Sequence, residues 1–239
     1  PTVRANMHAG ANWDNVTGES GPEDPDLSMI AFRSTSGRHI AVLANFSMHY
    51  FSGVEPVNAD YFGLFCEGLQ ERVGLSTGTN HPPFVALMSH GCSGDIWRRD
   101  YTKPPPPKDK EWTIETYTRG LLDVASTAFA SIAYQSRCDI GMAETRMTLK
   151  YRVPDKQRLQ WARQVVAAMG ERAPRTTEEV YAREQILLHE RQSTEIVVQA
   201  LRIGDLGILT TPTETYALTG LKLKLQRSEE HTSELQSHH

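Results

Sequence analysis

Apolar and polar residues alternate in two short runs near the start of the chain. Leu27 to Arg33 reads as one strand and His39 to Phe46 (HIAVLANF) as a second. Ser36-Gly37 between them is a turn pair, so the two runs predict a β-hairpin. Phe84 to Met88 is a third, short apolar strand, and it empties into the small-residue run SHGCSGD. After the rigid connector of prolines 104–107 the period changes. From Thr113 on, Ile114, Tyr117, Leu121, Val124, Ala128 and Ile132 keep one helical face apolar.

The second half continues the mixture. Glu144 to Tyr151 alternates as a strand. Asp155 is placed to cap a helix whose stripe is Leu159, Ala162, Val166 and Met169, and Gly170 to end it. Thr176 with Glu179 three residues on is a capping box for a further helix. Glu195 to Ile203, the turn Gly204-Asp205, and Leu206 to Thr210 make a second hairpin. Strands and helices interleave without repeats and without a clean boundary. The pattern predicts one α/β domain with a mixed β-sheet, hairpins and flanking helices.

Both ends modify that picture. Residues 1–25 are rich in Gly, Asn, Asp and Pro and read as an irregular surface segment. The last thirteen, Arg227 to His239 (RSEEHTSELQSHH), resemble a translated sequencing adaptor and are set apart from the fold. The chain also starts at Pro1 rather than Met. The expectation is therefore a domain over residues 1–226 that is incomplete at both ends. The formal net charge is −4, half of it from the tail. No Lys/Arg cluster reads as a nucleic-acid footprint, and no apolar run approaches a membrane span. The three cysteines, Cys66, Cys92 and Cys138, have no metal-site spacing and read as buried or free thiols.

Three places put reactive groups where strands give out into loops. In NFSMHY a strand ends at His49, with Asn58-Ala59-Asp60-Tyr61-Phe62-Gly63 soon after. Imidazole on a rigid strand end is a good zinc ligand, and equally a plain hydrogen-bonding group. In SHGCSGD small residues allow close backbone approach and an anion or oxyanion site, with Ser93 as nucleophile or donor and Asp95 as orienting acid. A tight structural turn has the same pattern. In TTPTET, Glu214 is a candidate metal carboxylate, or a helix-start acid that complements the macrodipole.

Taken in order, these segments resemble the N-terminal catalytic domain of the neutral/alkaline non-lysosomal ceramidases, in particular divergent bacterial members. The likeness covers residues 1–226. It rests on Asp24-Pro25-Asp26-Leu27-Ser28 leading into a strand, LANFSMHY, NADYFG, HGCSGD and PTETYALTGLKLK. The resemblance implies a zinc hydrolase of amide bonds acting on an N-acyl sphingoid base, a small lipid amide reached from the membrane surface. It implies His49 and Glu214 as zinc ligands, with Asp60 or Asp95 holding a metal histidine from behind; Ser93 and Asp95 of the HGCSGD loop are taken as the catalytic residues, Ser93 standing in for the family's serine. An exported or envelope-associated protein is the corresponding expectation. Three features depart from the family pattern. Its first zinc histidine lies upstream of Pro1, and its zinc tyrosine lies beyond Gln226. Trp97 stands at the place of its proposed catalytic serine. With half the ligands absent, the chain itself is expected to be inactive. Trp97 also keeps open a metal hydrolase acting on another amide, ester or sugar derivative, and a non-catalytic protein on the same scaffold remains a third reading.

Overall fold

The computed structural model describes residues 14–51, 55, 57–73 and 81–236, with side chains through Gln226. The first thirteen residues of the irregular N-terminal segment lie outside the described residues. The fold is α/β, in two compact units. Unit 1 comprises the chain up to Ser136 together with the part from Glu214 on, and unit 2 is Arg137–Thr213. Because unit 2 is spliced into unit 1, the chain leaves and rejoins the same core. No composition shift announces either crossing.

In unit 1, strands β1 (Ser28–Arg33) and β2 (His39–Phe46) form the expected antiparallel hairpin, with Gly37 in the turn at φ +88°. Strand β3 (Val85–His90) adds parallel to β2, which makes the sheet mixed. The β2–β3 register sets Phe46 opposite His90, so the ends of both strands come out together.

Helix α1 (Asp60–Val73) links β2 to β3 and packs on one face of this sheet. Its Tyr61, Phe65 and Leu69 follow one another at four-residue spacing and are fully buried. Val42 and Ala44 from β2 are buried against them. Removing each such large apolar side chain from water contributes about 1.5–3 kcal/mol. Helix α2 (Ile114–Ala130) closes the layer, and its Leu122 meets α1 at Gly68, where a Cβ would lie 2.5 Å from Leu122 Cδ1.

The capping box of α2 is formed by Thr113 with Thr116. Its buried face differs from the stripe read in the sequence. Thr118, Leu121, Leu122, Ala125 and Phe129 point inward, whereas Val124 is 57% exposed and Ile132 falls beyond the helix end. Adjacent Leu121 and Leu122 are both buried, which turns the inner face away from Val124.

In unit 2, β4 (Ile140–Lys150), β5 (Ser193–Ile203) and β6 (Leu206–Thr210) form an antiparallel sheet. The β5–β6 turn is Gly204-Asp205, with Gly204 at φ +58°. Pairing along the whole of β5 starts β4 earlier than its alternation suggests, with Ile140 opposite Ile203. Helices α3 (Lys156–Met169) and α4 (Thr177–Arg191) pack on each other and carry the expected caps. Asp155 accepts from the Arg158 N–H, and Thr176 and Glu179 form the reciprocal box. Gly170 ends α3 at φ +64°.

Helix α5 (Ala217–Gln236) returns to unit 1, and its backbone runs on into the C-terminal tail. Lys224 Nζ on α5 pairs with the buried Asp24 carboxylate at 2.7 Å, which ties the helix to the acidic-proline segment before β1.

Candidate functional site

The ends of β2 and β3, the loop after β3 and the segment before α5 meet in unit 1. His49 lies just past the end of β2. Its Nε2 is 3.1 Å from Glu214 Oε1, so the two residues proposed as metal ligands are neighbours. Its Nδ1 is 3.2 Å from the Tyr50 carbonyl oxygen. A carbonyl can only accept, so Nδ1 carries the proton in that contact. Nε2 meets the carboxylate either as a second N–H donor or as a lone pair that shares a bound cation with it.

The backbone around His49 is held on both sides. The Met48 carbonyl oxygen accepts from Tyr61 Oη at 2.8 Å and lies 3.1 Å from His90 Nε2. Two residues beyond His49, the Phe51 N–H donates to Asp60 Oδ1 at 2.9 Å, and the Phe51 carbonyl accepts from Arg98 Nη1 at 2.7 Å. The same Asp60 oxygen accepts the Tyr61 N–H at 2.7 Å. Asp60 therefore supports the histidine through the main chain rather than through its ring. It does so from a left-handed conformation, φ +53°, which a short polar side chain tolerates. Gly63 in the NADYFG segment is required by space, since a Cβ there would lie 2.7 Å from Ala59 Cβ.

The loop after β3 is stitched to its surroundings by its small residues. The Gly91 N–H donates to Phe46 O and the Gly94 N–H to Thr215 O, each at 2.9 Å. Both amides are thereby engaged within the fold and do not face an incoming oxyanion. Asp95 Oδ1 accepts the Ala217 N–H at 2.9 Å, so this acid caps α5 from another segment.

Ser93 is buried, with its Oγ 2.5 Å from His90 Nε2. Nε2 also faces the Met48 carbonyl, so it carries the proton and is the donor to both oxygens. In that state it has no lone pair with which to take the Ser93 proton. Burial holds the His90 pKa below the ordinary imidazole value, with only partial compensation from the Met48 hydrogen bond.

Aromatic rings wall one side of His49. Trp97 meets it edge to face at 5.5 Å between centroids, and Arg98 lies over the Trp97 ring at 4.3 Å and over Phe51 at 4.4 Å.

The sequence reading assigned no role to His90, Tyr61 or Arg98. For His90 a signal existed, because a parallel β2–β3 pair sets it opposite Phe46 and hence near His49. Tyr61 and Arg98 act on main-chain atoms, and no spacing rule in the sequence marks such contacts.

Zinc bound to two ligands at 2.0–2.1 Å holds the donor atoms about 3.3 Å apart in a tetrahedral site. The His49–Glu214 separation of 3.1 Å fits two such positions. Among the described residues no group of three or more His, Cys, Asp or Glu is arranged to hold a metal ion. The pair alone has the spacing of two zinc donors.

No family model matches the chain, and no curated protein matches it. Among solved structures it is similar to the crystal structure of neutral ceramidase from Pseudomonas aeruginosa, at 16% sequence identity and a TM-score of 0.49. The match covers 84% of this chain and 36% of that one, so the chain spans little more than a third of that protein's length.

Proposed function

We propose that the protein to which this chain belongs is a zinc-dependent, ceramidase-like amide hydrolase that releases a fatty acid from an N-acyl sphingoid base. The observation that supports this most directly is the His49 Nε2–Glu214 Oε1 contact at 3.1 Å, with Nδ1 turned to a carbonyl. The order of the sequence segments that resemble the family supports the substrate class. His49 and Glu214 hold the metal together with ligands from outside the described residues. Zinc bound there supplies a water of pKa roughly 7 and polarises the amide carbonyl.

The chain's own residues do the rest. Tyr61 and His90 fix the Met48 carbonyl, and Asp60 with Arg98 fixes Phe51, so His49 is presented from a braced segment. Trp97 shields one side of the imidazole from water. Ser93 and Asp95 contribute by holding the loop and the start of α5, which aims Glu214.

The test is metal content and fatty-acid release in the full-length protein. His49→Ala and Glu214→Gln are each expected to lose zinc and turnover together. A His49→Ala protein with zinc and turnover intact would overturn the assignment. For the 239-residue chain we expect weak zinc binding and little or no turnover, and stoichiometric tight zinc would contradict that. A second reading, a metal hydrolase of a different amide, ester or sugar derivative, is favoured by Trp97. Its indole packs against His49, and it stands at the sequence position where the family pattern has a serine. A panel of acyl amides, esters and glycosides separates the two.

A further inference from the structure

Strand β4 is 11 residues long and forms one edge of the unit 2 sheet, where it pairs with β5 alone. Edge strands are ordinarily kept short, bulged or broken by proline, because an open row of amides and carbonyls recruits another strand. β4 has none of these guards. Its register with β5 runs from Ile140–Ile203 to Lys150–Ser193 without a shift, and it contains no proline. It is exposed along almost its whole length. Its charges, Glu144, Arg146 and Lys150, are the guard that remains, and their order selects a partner.

The hydrogen-bond phase identifies the open groups. At the ends of the ladder the Tyr151 N–H donates to Gln192 O at 2.9 Å, and the Gly204 N–H to Asp139 O at 2.8 Å. Odd-numbered positions of β4 therefore bond to β5. Alternation turns the main-chain groups of Ile140, Met142, Glu144, Arg146, Thr148 and Lys150 outward. Among the described residues none of these outward N–H and C=O groups has a hydrogen-bond partner.

A second β4 laid antiparallel must match outward positions with outward positions, so only alternate registers are open to it. Centring the two-fold axis on Thr145 overlaps all of Ile140–Lys150 and sets Glu144 of each copy opposite Arg146 of the other. Large side chains then face small ones, Met147 with Ala143 and Leu149 with Gly141. Moving the axis by one residue puts Glu144 opposite Glu144, or Arg146 opposite Arg146, and like charges directly opposite are destabilising. Arg146 already meets Glu144 and Glu195 of its own copy at 3.3 and 3.0 Å. A guanidinium has five donors, enough to bridge to a further carboxylate. The strand is self-complementary in its full-length register and self-repelling in the two neighbouring ones.

We propose that β4 is a homodimerisation edge, which pairs antiparallel with β4 of a second copy about a two-fold axis at Thr145. Such an isologous contact closes on itself, so it gives a dimer rather than a fibre. The two unit 2 sheets become one continuous sheet, and the outward amides and carbonyls of both copies are satisfied.

The experiment is sedimentation velocity of the 239-residue chain over a concentration series, with Glu144→Arg and Arg146→Glu as variants. The parent chain is expected to pass from monomer to dimer. Each variant alone meets its own copy with like charges at both places, and its dimerisation should weaken about tenfold. An equimolar mixture of the two variants restores opposite charges at both places and should dimerise as the parent does. Thr145→Cys should form a disulfide-linked dimer on mild oxidation, because the axis sets it opposite itself in a narrow, non-hydrogen-bonded pair. Thr148→Cys should not, nor should the parent chain with its exposed Cys138. Circular dichroism confirms that each variant is folded. A parent chain that stays monomeric, a mixture no tighter than its components, or Thr148→Cys linking as readily as Thr145→Cys would each overturn the proposal. So would slow exchange of the Glu144 and Arg146 amides in a monomer, which would give the edge to another segment of the chain. None of these outcomes depends on the metal reading, because no residue of the His49 site is altered.

Discussion

The Tyr61 hydroxyl donates to the Met48 carbonyl oxygen at 2.8 Å, and this bond ties α1 to the peptide that carries His49. His90 Nε2 supplies the second donor to the same oxygen. With both lone pairs engaged, the Met48–His49 peptide plane is fixed by two different elements. Tyr61 is fully buried, and burial pushes its phenol pKa far up, so it remains a donor across the working pH range. Tyr61→Phe should keep the fold and cost about 1–2 kcal/mol in urea unfolding, the range for a buried hydrogen bond removed on one side. Under the zinc reading the same variant should weaken metal binding, while the surface variant Arg183→Gln should not.

Gly94 is held against Glu214 by space as well as by its amide. A Cβ at 94 would lie 2.8 Å from the Glu214 carbonyl oxygen and 2.9 Å from the Tyr216 ring. The first contact is with backbone and cannot be relieved by a rotamer. Gly94→Ala should therefore destabilise by about 1–3 kcal/mol. Gly120, inside α2 with nothing within 4 Å of its Cβ position, is the control. Gly120→Ala should stabilise by about 0.5–1 kcal/mol, since alanine loses less backbone entropy in a helix. Paired urea titrations check both signs.

Asp95 separates a capping role from a chemical one. Its Oδ1 accepts the Ala217 N–H, and asparagine retains that acceptor. Asp95→Asn should lose only the charge–dipole contribution of about 0.3–1 kcal/mol. Asp95→Ala should lose the cap as well, about 1 kcal/mol more. In the full-length protein, turnover that survives Asp95→Asn assigns Asp95 to holding α5. Turnover abolished by Asp95→Asn assigns it to the reaction.

The parts of this fold that were legible in the sequence are those with a local cause. Both hairpins follow from Gly37 and Gly204 between alternating runs, and α2, α3 and α4 begin at side chains that cap their own helix. Helix α1 was hidden. Its start lies inside NADYFG, which looks like a polar loop, and the helix shows itself in the burial of Tyr61, Phe65 and Leu69 on the sheet. The site divides in the same way. His49, Asp60, Ser93, Asp95 and Glu214 stand out as polar residues where strands end. Their relations are tertiary: Asp60 acts on Phe51, Ser93 faces His90, and Asp95 reaches Ala217. No periodicity encodes such contacts.

Glu179 gives unit 2 a dependence on acid that can be measured by itself. Arg172 first, and then the N–H groups of Arg175 and Thr176, hold its carboxyl down at about 2. An unfolded glutamate titrates near 4.3. The folded pKa is the lower one, so the stabilisation is fully present above the unfolded value. It is lost as pH falls from about 4.3 towards 2. Protonation removes the Arg172 ion pair and weakens the capping box at the start of α4. The melting temperature of the wild-type chain should therefore drop more steeply over that window than that of Glu179→Gln. The two curves should run parallel above about pH 5, offset by the lost ion pair. Parallel curves throughout the acid range would mean that Glu179 does not titrate at a depressed value, and the Arg172 contact would then be only a weak surface pair.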